Sequence, residues 1–153
     1  MLFYTHLIFS VFAGLFLVDY LSVSNKPFFF LFLVLFASLP DIDKANSKIG
    51  RNFGFLSKLV NFIFGHRKFF HSFLFIAFFY ILLSLFSNLV SLSFLIATLS
   101  HLILDALTPE GIMPFYPLNW KVNWFIRTGS LVEKALFLVI LVLFVIELTT
   151  GHP

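Results

Sequence analysis

"FFHSFLFIAFFYILLSLFSNLVSLSFLIATLSHLIL", residues 69–104, contains no Asp, Glu, Lys or Arg. A helix that crosses a bilayer needs roughly 17 to 25 predominantly apolar residues, so this stretch holds two crossings. Ser87-Asn88 supplies the turn between them. The rest of the chain is of the same kind: of 153 residues, 60% are hydrophobic, 25 are phenylalanine and only 11% are charged. That is far from the mix of a soluble domain. The sequence therefore predicts an all-α fold over a single membrane domain, residues 1–153. The expected architecture is an integral membrane helical bundle of about five transmembrane helices plus one or two interfacial helices.

Working outward, the spans are expected at 4–22, 27–39, 69–86, 89–107 and 131–148. Pro27 suits a first helical turn and Pro40 ends the short second span. Thr108-Pro109-Glu110-Gly111 closes the fourth, because the residue before a proline is pushed out of the α region and glycine supports the turn. The first 22 residues lack a basic leader and a small-x-small cleavage site, which predicts an anchor and not a signal peptide. Residues 52–64 alternate a broad apolar face with Asn52, Ser57, Lys58 and Asn61, as expected of a helix in the headgroup plane or a re-entrant hairpin. Trp120 and Trp124 suggest a second interfacial element.

Five spans place the 40–68 and 108–130 loops on one face. Lys44, Lys48, Arg51, Lys58, Arg67, Lys68, Lys121, Arg127 and Lys134 lie on that face and only Lys26 on the other, so it is expected to be cytoplasmic, with the C-terminus outside. The formal charge of +3 thus serves orientation and headgroup contact in the plasma membrane, and nucleic acid is not an expected partner. The absence of cysteine excludes disulfides and thiolate sites, so any metal must be held by nitrogen and oxygen.

Ionisable groups at apolar segments are costly and call for a reason. Here they cluster on the cytoplasmic half: His6, Asp41 and Asp43 in "LPDID", His66, Arg67, His71 and Ser72 in "HRKFFHS", and His101 and Asp105 in "SHLILDALT". His101 and Asp105 are four apart and share a helix face. His66 and His71 are five apart, which suggests that a helix begins between them. His6 heads a stripe with Ser10 and Gly14 that predicts close helix packing. Each feature also has a plain structural reading: a satisfied core histidine, a solvated D-x-D turn, a capping hydroxyl at Ser72, a capping box at Ser130 and Glu133. Asp19, Glu147 and His152 fall on the opposite face.

Together the histidines and aspartates exceed what one ion needs. The expected cofactor is a divalent metal, zinc or manganese, as one or two ions that would acidify a bound water. The expected ligands are His6, Asp41, Asp43, His66, His71, His101 and Asp105, with Arg67 offsetting charge on phosphoryl oxygens. Asp43 and Glu133 complete the candidate catalytic set.

The ordered motifs Thr5-His6, Leu39 to Asp43, His66-Arg67 with His71-Ser72, His101 with Asp105, and Thr108 with Gly111 resemble the YdjM/DUF457 family of membrane-bound metal-dependent hydrolases. More distantly, the ligand order looks like that of the helical zinc-dependent phospholipase C group. That group adds a second helical ligand pair, which this chain lacks, Glu133 being the one substitute. The resemblance implies a hydrolase with a lipid-borne substrate. The expectation is a phosphoester hydrolase working at the cytoplasmic side; the alternative is a non-enzymatic membrane protein with a structural or transported ion.

Overall fold

Polar caps punctuate the apolar runs and fix where each helix starts. In the computed structural model, which describes residues 1–44 and 47–150, the side chains of Asn25, Ser47, Ser72 and Ser87 accept the backbone N–H groups of Phe28, Gly50, Phe75 and Val90. They open α2 (Lys26–Phe36), α3 (Lys48–Phe53), α5 (Phe73–Ser84) and α6 (Asn88–Ala106). The remaining helices are α1 (Phe3–Val18), α4 (Phe55–Phe64) and α7 (Leu131–Thr150), with short 3-10 turns at Leu39–Asp43 and Phe69–His71. No β-strand occurs among the described residues, where one isolated bridge joins Ile112 and Val122.

α6 is the axis, packing against α1, α2 and α5, while α7 packs on α1. The expected stripe of α1 is its buried face: Thr5, His6, Ser10, Gly14 and Val18. A Cβ at Gly14 would lie 2.5 Å from Leu33 Cδ1, so glycine is what lets α2 come this close. One apolar cluster joins Val18, Phe29, Leu33, Ala37, Ile96 and Ala97; another joins Phe75, Ile76, Phe94, Leu102 and Ile112. The outward positions of α5 and α7, including Phe78, Ile81, Leu138, Val142 and Leu143, are apolar and exposed.

The helices differ in length from the expected spans. By length and composition, α6, with 19 residues, is the one helix among those described that suffices to cross a membrane. α1, α2 and α5 have 16, 11 and 12 residues. At about 1.5 Å per residue, α2 and α5 reach little more than half of a hydrocarbon core of about 30 Å. α7 is as long as α6 but carries Glu133, Lys134 and Glu147.

Three local expectations are corrected. α5 begins after Ser72, so both His66 and His71 precede it, and His71 sits in a 3-10 turn; the Ser72 hydroxyl is the cap that sets this start. The amphipathic stretch 52–64 does hold its helix, α4 over Phe55–Phe64, but the start is corrected: Gly54, at a φ of +42°, ends α3 before α4 begins. The Trp120–Trp124 segment forms no helix: Val122 within it is extended and pairs with Ile112 in the isolated bridge, and both tryptophans are exposed. His152 lies outside the described residues.

Candidate metal centre

α6 carries His101 and Asp105 one turn apart on its buried face. Pro40 turns the chain after α2 into the 3-10 turn that brings Asp41 up to them, and His101 Nε2 lies 3.9 Å from Asp41 Oδ1 and 3.8 Å from Asp105 Oδ2. The second 3-10 turn adds His71, with Nε2 3.4 Å from Asp105 Oδ2. One ligand atom from each of Asp41, His71, His101 and Asp105 can be chosen so that all lie within 4.8 Å of one another.

The chemistry of these atoms fits a cation. His101 Nδ1 is 2.8 Å from the Ala37 carbonyl oxygen, to which it can only donate, so the lone pair is on Nε2. That Nε2 is buried and has no hydrogen-bond partner among the described residues; the same holds for His71 Nε2 and Asp105 Oδ2. Asp105 Oδ2 does lie 2.8 Å from Arg67 Nη2, as an ion pair without hydrogen-bond geometry. Leaving the two imidazole nitrogens unmatched costs about 1–3 kcal/mol each. Two imidazoles and two carboxylates suit zinc or manganese better than calcium, which takes oxygen alone.

Asp43 stands behind the group. Its Oδ1 is 2.8 Å from His66 Nδ1, and its Oδ2 accepts the Arg67 backbone N–H at 2.9 Å and lies 3.3 Å from His71 Nδ1. Burial pushes its carboxyl up, but the contacts with His66 and His71 outweigh burial and hold it below the usual carboxylate range. The loop is tied down by neighbouring side chains: Asn61 of α4 donates to the Asp43 carbonyl at 2.6 Å, and the Ser47 hydroxyl donates to that of Asp41 at 2.8 Å. His66 Nε2 is buried and unmatched, 4.0 Å from the exposed carboxylate of Glu110.

His6 stacks on His101, ring centroids 3.9 Å apart, and its Nε2 is 3.3 Å from Asp105 Oδ1. The Met1 amino nitrogen is 3.0 Å from the same oxygen. Arg67, buried at a φ of +57°, donates through Nη1 to Thr108 Oγ1 at 2.7 Å and to the Gly111 carbonyl at 3.3 Å. Of the seven expected ligands, four form the compact group, while His6, Asp43 and His66 border it. Glu133 is spent elsewhere: it accepts the Leu2 and Gly129 backbone N–H groups and the Thr5 hydroxyl, the last at 3.1 Å. Ser130 Oγ accepts the Glu133 N–H at 3.3 Å, so half of the expected capping box forms. Glu110 is absent from the expected site because "TPEG" reads as a turn; its place two residues after Thr108 is the only pointer.

Residues 1–152 match the profile of the YdjM inner membrane protein family. The chain belongs to that family. Among relatives of the YdjM-family chain, the uncharacterized protein YvsG of Bacillus subtilis is 41% identical over 102 residues, covering 64% of each chain. The inner membrane proteins YdjM of Escherichia coli and Shigella flexneri are each 34% identical over 110 residues, covering 66% of this chain and 53% of theirs. The matched regions thus span less than two thirds of these relatives' lengths. No solved structure matches.

Proposed function

We propose that this YdjM-family protein is a metal-dependent hydrolase of the inner membrane that cleaves a phosphoester, lipid-linked, at the cytoplasmic side. The observation that carries the reading is the convergence of Asp41, His71, His101 and Asp105 on one largely buried point, with Nε2 of His71 and of His101 left without a hydrogen-bond partner. A bound zinc or manganese ion would supply Lewis acidity and lower the pKa of water toward neutrality. His101 is held as an Nε2 ligand by Ala37, and Asp43 Oδ2, 3.3 Å from His71 Nδ1, would orient that ring. His66, its Nδ1 on Asp43, can take or give a proton at Nε2. Arg67 balances the Asp105 carboxylate and lines the cavity beside it.

The bundle is read as crossing the membrane five times, α2 and α5 being completed by their flanking turns. Serine and threonine hydroxyls do run along buried α6, which a transport path would use. However, Ser91, Ser93 and Thr98 donate to carbonyls of their own helix, and Ser93 also to Phe29 of α2, which is packing chemistry. Metal analysis of detergent-purified protein tests the reading. Wild type should retain about one transition-metal ion per chain and hydrolyse phosphoesters, and His101→Ala should lose both. Metal-free, inactive wild type refutes it, as does a His101→Ala variant with unchanged metal content; metal uptake into liposomes without hydrolysis favours the transported ion.

A further inference from the structure

A cavity of about 240 Å³ opens beside the metal centre, and its wall is basic. Lys44, Lys48, Arg51 and Arg67 line it, against the single carboxylate of Asp41. Neither Lys44 nor Arg51 has an ion-pair partner among the described residues. Lys48 is held by aromatic faces, its Nζ 3.8 Å from the Tyr4 ring centroid and 4.5 Å from that of Phe3. Lysines and arginines that serve only orientation need no shared concavity; these four surround one. Their backbone is fixed as well. A Cβ at Gly50 would lie 2.0 Å from the Lys44 carbonyl oxygen, so α3 is pressed against the strand of chain that carries Lys44, and Ser47 ties the same place to Asp41.

We propose that this cavity is a phosphate-recognition site, in which Lys44, Lys48 and Arg51 hold the dianion of a phosphomonoester and Arg67, paired with Asp105, closes the wall behind it. The location decides the consequence: Asp41 belongs both to this wall and to the metal-binding group, so a phosphate seated here lies next to the cation. Guanidinium and ammonium groups bind phosphate oxygens by charge-assisted hydrogen bonds, and one arginine with two lysines match the charge of a terminal phosphate better than that of a neutral ester. That the bound group is the substrate's own phosphate rests on the hydrolase reading; the binding itself does not.

The test titrates full-length protein in phosphatidylcholine nanodiscs, stripped of metal, with glycerol 3-phosphate, and compares discs with and without phosphatidic acid. Wild type should bind the soluble phosphate, and Lys44→Ala/Arg51→Ala should weaken that binding by about tenfold or more, about 1.4 kcal/mol, at unchanged melting temperature and with unchanged metal content in samples taken before stripping. If phosphatidic acid in the disc competes with glycerol 3-phosphate, the site takes the headgroup of a lipid; if it does not, the site takes a soluble phosphate. Equal binding by wild type and the double variant, or no binding of either probe, overturns the proposal. His101→Ala should keep the phosphate binding while losing metal, so failure of the hydrolase reading leaves a different signature.

Discussion

Asp43 and His101 are the residues on which the centre turns, and they act differently. His101 offers a ligand atom, while Asp43, with both oxygens engaged by His66, Arg67 and His71, sets how those groups point. Loss of such an orienting carboxylate typically costs 10–100-fold in metal affinity. Asp43→Asn is therefore expected to keep the fold and bind zinc about 10–100-fold more weakly in competition with a chelator of known affinity; an unchanged affinity would show that His71 is oriented without it. At this scale the sequence was informative wherever a regular helix joined the residues. His101 and Asp105 were readable because four positions make one helical turn. The placing of His66 and His71 was not, since it depends on a 3-10 turn and on the Ser72 cap. Glu110 was hidden because an acidic residue after a proline reads equally well as solvent-exposed loop.

Between residues and fold stand the irregular segments, and they, more than the helices, place the chemistry. Asp41 and Asp43 come from one 3-10 turn, His71 from another, and Arg67 from a residue in the left-handed region. The loop after α6 completes the set. Its Thr108 Oγ1 and Gly111 carbonyl accept from Arg67 Nη1, and Ile112 and Val122 pair across it. Gly111 has a φ of +61°, and a Cβ there would lie 2.3 Å from the Val122 carbonyl oxygen, which is backbone and cannot swing away. Gly111→Ala is thus expected to open the bridge, destabilise the protein by about 1–3 kcal/mol and release Arg67. A thermal melt in detergent, compared with a Gly54→Ala control that shares the positive-φ strain at +42° but meets nothing within 4 Å, checks it; equal melting temperatures of the two variants would refute the role given to Gly111. Helix-forming periodicity announces α6 and α7, but nothing in a periodic pattern encodes a bend whose only purpose is to deliver a carboxylate.

At the scale of the whole molecule the distribution of polarity is inverted. Side chains such as His6, Asp43, His71, His101, Asp105 and Glu133 are buried, whereas the exposed positions of α5 and α7 are largely leucine, valine, isoleucine and phenylalanine. Water would not favour that arrangement over a wide apolar exterior, and a bilayer does. The sequence announced this through composition alone; it overstated helix length, because apolar residues continue into turns that no longer follow an α-helical path. The basic residues divide in the same sense. Lys26 pairs with Asp19 at one end, while Lys44, Lys48, Arg51 and Arg67 gather beside the candidate metal centre. If five crossings and the positive-inside rule hold, these ends lie on opposite sides of the membrane. The chain has no cysteine, so single reporters can be placed without background. Ser24→Cys, in the exposed turn before α2, is expected to react with an impermeant maleimide added to intact spheroplasts, and Lys58→Cys, exposed on α4, only after permeabilisation. Labelling of both from outside would mean an even number of crossings between them, and would move the metal centre away from the cytoplasm even if every contact within it stands.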